Sequence, residues 1–270
     1  MRGRISSGCG VLQAFSRCSW VADTQAAAAT NDTPQGREGR HALTYDAFVC
    51  FSASANFIGS AVLGSIGVVT LTEVKHRREL LFAAMPLLFA LHQFTEGFVW
   101  LGLDGRLPPI VTHDAAAAYI LYAQGLLPFL LPLSVLLIEP AGGRQRRMLD
   151  FSLLGAGLTI YLLWGLIAYP LQVSAGDHGI VYLNRITTTT LVAMLYVTAT
   201  CGSLFFSGFR ALVLLAWLNF VGLLVVMVLR RYEFTSLWCA YAAVVSVVIY
   251  FFFRRSRTDR PAKYALEAAA

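Results

Sequence analysis

Seven apolar stretches of about 20 residues each, separated by short clusters of charge, leave this chain few ways to fold. They run 52–74, 80–102, 115–138, 150–172, 188–206, 209–230 and 236–253. About 20 apolar residues in a helix cross a hydrocarbon core about 30 Å thick. An unpaired backbone group in lipid costs several kcal/mol, so the crossing segments must be helices. The expected fold is therefore all-α, a polytopic membrane bundle of about seven transmembrane helices. Composition agrees: hydrophobic residues make up 57% of the 270 and charged residues 13%, about half the charged share of a soluble protein. The fifth stretch has the thinnest signal, opening on four threonines (Thr187 to Thr190) and ending in GSLFFSG.

Direction follows from lysine and arginine in the connections. Lys75, Arg77, Arg78, Arg144, Arg146, Arg147, Arg210 and the tail residues Arg254, Arg255, Arg257, Arg260 and Lys263 fall on one side. Arg106, Arg185, Arg230 and Arg231 fall on the other. The bias places the C-terminus in the cytoplasm and the start of the first span outside. The net charge of +6 is thus an orientation signal and gives no nucleic-acid footprint. The lipid bilayer is the expected partner. Five cysteines without CxxC spacing (Cys9, Cys18, Cys50, Cys201, Cys239) build neither a disulfide framework nor a zinc ribbon.

Packing signals sit inside the spans. Ser60, Gly64 and Gly67 in the first and Gly155 and Gly157 in the fourth let helix backbones approach closely. Pro128 and Pro132 kink the third span and free carbonyls that neighbours must satisfy. Trp100, Tyr169, Tyr232 and Trp238 fall near the outer ends, as an aromatic belt requires.

The second span carries the chemistry. His92, Glu96 and Trp100 are spaced i, i+4, i+8 and share one helix face, with Gln93 and Gly97 on the adjoining stripe. A carboxylate near the centre of a span costs roughly 2.5–3.5 kcal/mol on insertion scales, so it should face the bundle or a wet cavity. Polar residues at similar depth in other spans are Ser54, Asn56, Gln124, Asn219, Cys239 and Tyr241. One outward-facing pocket centred on His92 and Glu96, with Gln93, Asn56, Gln124 and Asn219 as further members, is the functional expectation. Its guest is a small molecule or a proton, in a transport, sensing or accessory role. The competing expectation is structural, because such side chains commonly hydrogen-bond between membrane helices at about 0.6 kcal/mol each.

A third reading is enzymatic. Seven spans with an outside start also describe the alkaline ceramidase and adiponectin-receptor group of intramembrane metal hydrolases. That chemistry needs about three His, Asp or Glu ligands around a water-activating metal. Here His92, Glu96, Asp114 and His178 are the available set, and the seventh span lacks the HxxxH pair of that group. No GxSxG, Walker, Rossmann or haem-attachment motif is present, and no motif identifies a cofactor. No lysine lies in a span to form a retinal-type Schiff base.

Residues 1–48 differ in character: rich in Arg, Ser, Ala and Gly, poor in apolar runs, with Asp23 as the first acid. From residue 49 onward a resemblance appears. VCFSASANFIGS, then HRRELLFAAMPLLFALHQFTEGFVWLGLDG, and SLWCAYAAVVSVVIY at 236–250 resemble an uncharacterised family of bacterial integral membrane proteins. Its chains open Met-Cys-Phe-Ser-(Ala/Thr)-x-Ala. The resemblance implies a membrane fold over about 49–253, in the cytoplasmic membrane of a bacterium or, if residues 1–48 are a transit peptide, in an organelle membrane, but no reaction. Val49 stands where the family has its initiator Met, which a GTG start codon read as valine explains. The expected division is a disordered extension at 1–48 (start-site artefact or transit peptide), a seven-helix domain at 49–253 and a basic cytoplasmic tail at 254–270.

Overall fold

Ser52 opens the first helix by accepting a hydrogen bond from the Ala55 N–H at 3.2 Å, the usual N-cap arrangement. The computed structural model describes residues 52–176, 179–186, 189–229 and 234–259. Helix α1 (Ala53–Thr72) is followed by a 3₁₀ turn (Arg77–Glu79), a single turn α2 (Leu80–Ala83) and the helix α3 (Met85–Leu103). Helix α4 (Pro109–Ile120) passes through a π-helical segment (Leu121–Leu126) into α5 (Leu127–Ile138). Then come α6 (Gly143–Ala168), strands β1 (Gln172–Ala175) and β2 (Ile180–Leu183), α7 (Thr190–Phe205), α8 (Arg210–Leu229) and α9 (Phe234–Asp259).

Among the described residues, four helical stretches are long and apolar enough to cross a membrane: 53–72, 77–103, 109–138 and 143–168. Two shorter apolar helices, Thr190–Phe205 and Arg210–Val225, follow. This is the make-up of an integral membrane protein. Large apolar side chains face outward along these helices, among them Ile58, Val68, Leu153, Ile160 and Ile167, as lipid contact requires. Helix coincides with the apolar stretches to within a few residues at most ends, but the third begins earlier, at Pro109, the last runs on to Asp259, and the fourth is displaced at both ends. That helix begins at Gly143, and it ends at Ala168, so Gln172 is not part of it.

The connection from α6 to α7 holds a short antiparallel hairpin, with Gln172 opposite Leu183 and Ala175 opposite Ile180. The all-α expectation missed it, since strands of four residues are too short for alternation to stand out. Asn184, buried just past β2, ties the hairpin down. Its amide donates to the Gly165 and Tyr169 carbonyls at 3.3 and 3.2 Å, the first of which also accepts from the Tyr169 N–H that closes α6, so the last turn of that helix is tied to the hairpin. Its carbonyl accepts from the Ile186 N–H at 3.0 Å.

Helices α1 and α3 meet along small residues. A Cβ on Gly67 would overlap the Leu87 backbone, and Ser60 donates to the Ala90 carbonyl at 2.8 Å. At one end, Phe82 of α2 packs its ring on Phe252 and Phe253 of α9, over a core that includes Met85, Ile138, Met148 and Leu212. At the other end, Val99, Ala116, Tyr119 and Ile120 pack under Ile180 and Tyr182 of the hairpin.

The third stretch shows what its prolines do. The Leu127 N–H reaches back five residues to the Tyr122 carbonyl, which is π spacing. In that register only residue 128 could serve the Ala123 carbonyl, and Pro128 has no N–H. Tyr196 of α7 donates its hydroxyl to that carbonyl at 2.6 Å. Pro132 likewise leaves the Pro128 carbonyl without its helical donor. A Cβ on Gly155 would fall on that oxygen, so the α6 backbone lies directly against it, close enough for a Cα–H···O contact.

Two substitutions test this account. Tyr196→Phe strands a buried carbonyl and should cost about 1–3 kcal/mol, read as a lower midpoint of thermal unfolding in detergent at unchanged helix content. Gly155→Ala drives a methyl into the Pro128 carbonyl and should lower the midpoint by a similar or larger amount, as overpacking does at about 1–3 kcal/mol. Gly157→Ala, two residues along with open space around it, should be neutral or stabilising.

Candidate functional site

Residues 92 and 93 are consecutive on α3 and therefore point about 100° apart, which decides their separate fates. Gln93 turns toward α1. Its amide donates to the Asn56 side-chain carbonyl at 3.0 Å in a buried contact, and Asn56 donates in turn to the Ser52 carbonyl at 3.1 Å. A Cβ on Gly59 would crowd the Gln93 amide, so that glycine makes room for the clasp. Asn56 and Gln93 thus lock α1 to α3.

His92 turns toward α4. Its ring stacks on Tyr119, centroids 3.8 Å apart and planes at 14°. Tyr119 stacks on Tyr182 of β2 at 4.7 Å and 19°, and Tyr122 leans on His92 at 5.1 Å and 48°. A three-ring column therefore runs from α3 through α4 to the hairpin. Tyr119 is fully buried, and His92 and Tyr182 nearly so. One turn beyond His92, Glu96 has no exposed surface at all, and Trp100 follows a turn later with its ring against the cluster beneath the hairpin. The His92 Nδ1 and the Trp100 Nε1 are both buried without a hydrogen-bond partner among the described residues. The buried carboxylate is thus flanked, one turn to either side, by a ring nitrogen without a hydrogen-bond partner among the described residues. Buried polar groups are almost always hydrogen-bonded, so such exceptions mark places where something else is expected to bind.

The remaining sequence candidates fall elsewhere. Gln124 lies half-buried on the π segment, two residues from Tyr122. Asn219 is buried on α8, whose main neighbours are α7 and α9. Ser54 is exposed and hydrogen-bonds only locally, to Ser52 at 3.2 Å. Of the expected members, the structure brings His92 together with the aromatic column, with Glu96 one turn along the same helix. Tyr119, Tyr122 and Tyr182 were not foreseen. Tyr119 and Tyr122, three apart in an apolar run, were a visible signal, whereas Tyr182 reaches the site only through the hairpin.

For the metal-hydrolase reading, His113 and Asp114 lie 3.5 Å apart on the first turns of α4 with side chains 58% and 71% exposed. Asp114 is therefore not beside His92. His178 lies outside the described residues, and among those described no three of His, Cys, Asp and Glu gather as metal ligands would.

Two more acids are buried at the opposite, basic end. Glu79 accepts from the Lys75 N–H at 3.1 Å. Glu139, at the end of α5, accepts from the Ser207 hydroxyl at 3.0 Å and from the Gly208 N–H at 3.0 and 3.2 Å. It clasps the α7–α8 turn to the α5–α6 turn.

Comparison with known proteins finds no match among curated proteins or solved structures. A family model matches residues 49–264, which takes in all of the described residues, the His92–Glu96 face and both buried acids of the basic end included. By that match the chain belongs to a family of unknown function, DUF6629.

Proposed function

We propose that this protein crosses the bacterial cytoplasmic membrane seven times, first helix starting outside and basic end in the cytoplasm, and takes up a proton at His92–Glu96. The single observation that carries the site is the completely buried Glu96 carboxylate between two buried ring nitrogens that have no partner among the described residues. Intramembrane ionisable residues mark proton or ligand sites by default. Imidazole ionises near the physiological range, and burial can bring a carboxyl group into it. Tight ring stacking around His92 suits a proton or a small hydrogen-bonding guest better than a bulky one. The hairpin, with Tyr182 in the column, covers the site from the outer side. The proton acts here as a signal or a coupling ion, and the column links its arrival to the α6–α7 connection.

The test is infrared difference spectroscopy on purified protein in lipid, stepped between low and high pH. The expected result is a protonated-carboxyl band that Glu96→Gln abolishes and that shifts in His92→Ala. A carboxyl band unchanged in Glu96→Gln, or no pH-linked band at all, overturns the reading. Glu96→Gln keeps the shape and removes the charge, so it should leave thermal stability equal or higher, by up to roughly the 2.5–3.5 kcal/mol that a charged residue costs at a span centre.

A further inference from the structure

The basic end of the bundle shows an uneven treatment of charge. The Glu139 carboxylate is turned inward and held by Ser207 and Gly208, which fixes the α5–α6 and α7–α8 turns side by side. Outside this clasp stand Arg144, Arg146 and Arg147 on the first turns of α6 and Arg210 at the start of α8, all exposed. Arg147 holds its guanidinium over the Phe206 ring at 5.8 Å. Arg144 reaches toward Gly208, where an added Cβ would meet both its guanidinium and the Glu139 carboxylate. A cleft of about 300 Å³ opens along residues 139–144.

The sequence of α6 makes this arrangement unfavourable on its own. The helix begins without a side-chain cap and without an acid in its first turn. Three arginines then sit at the positive end of its dipole, where acids are preferred. The one exposed acid on the opening turns is Asp150. The positive-inside rule places basic residues on this side, but it does not call for guanidiniums gathered on a helix N-terminus whose nearest carboxylate, Glu139, lines the same cleft and is already engaged by Ser207 and Gly208. A bound anion does, because guanidinium and free N–H groups together match phosphate oxygens. What selects a lipid over a free anion is the next turn. Leu149 and Leu153 are exposed, at 47% and 61%, directly beyond the arginines on the same helix. A phosphate in the cleft continued by acyl chains along Leu149 and Leu153 satisfies both halves of the surface.

We propose that the α5–α6 and α7–α8 turns form a binding surface for the headgroup of an acidic phospholipid, with Arg144, Arg146, Arg147 and Arg210 as its cations. This surface is separate from the His92–Glu96 face and stands whether or not that face binds a proton.

The experiment uses the full chain purified in a neutral detergent, with phosphatidylglycerol, phosphatidylcholine or inorganic phosphate added in parallel, and counts retained molecules by native mass spectrometry. The expected result is selective retention of phosphatidylglycerol. Combined Arg144→Gln, Arg146→Gln and Arg147→Gln should weaken it on the order of a hundredfold, while Arg254→Gln with Arg255→Gln, at the end of α9, should leave it within a few fold. Equal retention of the two lipids overturns the proposal, as does full retention by the triple variant. Phosphate competing as well as the lipid shows a free-anion site and also overturns it. Should the triple variant fail to fold, Leu149→Ser with Leu153→Ser replaces it: retention should fall with the arginines intact, and unchanged retention refutes the lipid.

Discussion

A backbone carbonyl inside hydrocarbon has no water to turn to, and two prolines in one helical stretch release two such carbonyls. Much of the arrangement around the site follows from how they are answered. Tyr196 gives its hydroxyl to the Ala123 carbonyl, which fixes α7 against the π segment. Gly155 lies against the Pro128 carbonyl, which brings α6 to α5 at a distance no side chain would permit. With α6 and α7 each held to the same kinked stretch, the segment joining them closes over the end of the bundle. There it folds as a hairpin whose Tyr182 completes the stack on Tyr119 and His92.

The same economy governs α3, whose polar residues are divided among its neighbours by helical geometry. Gln93 serves α1 through Asn56, and His92 serves α4 through Tyr119. The first is a fully made amide pair of the kind that holds membrane helices together. The second is a contact of ring faces and does not use the imidazole Nδ1. Two adjacent residues therefore take different roles, one in assembly and one at the candidate site.

Hydropathy made the helices legible, because an apolar run of 20 residues admits little besides a helix in lipid. The i, i+4 spacing likewise put His92 and Glu96 on one face before any coordinates. What the chain did not reveal depended on contacts between distant segments. Tyr182 meets Tyr119 only because the hairpin folds back, and its strands carry too few residues to announce themselves. Glu139 lies just past the third apolar stretch, and nothing near it in the sequence points to its partners Ser207 and Gly208, almost 70 positions away. Pro128 and Pro132 did announce freed carbonyls, but no pattern could name Tyr196 and Gly155 as the residues that meet them. Gln124 and Asn219 matched the site in depth, and depth alone says nothing about which way around a helix a side chain turns.

The buried acids show why one of them stands apart. Glu79 and Glu139 lie where helices begin or end, and there backbone N–H groups are free to donate. Glu79 takes that of Lys75, and Glu139 takes that of Gly208. Such carboxylates can be satisfied by backbone hydrogen bonds. Glu96 is in the middle of α3, where the backbone N–H groups around it are already committed to the helix. It can be answered only by side chains, by a proton, or by a guest. The flanking His92 and Trp100 nitrogens are the nearest groups along its own helix face, and both sit a full turn away. On the reading proposed above, in which Glu96 takes up a proton beside His92, a shift of α4 or the hairpin that moves the aromatic column would alter that uptake. By linkage, the proton would then push back on the column with equal force.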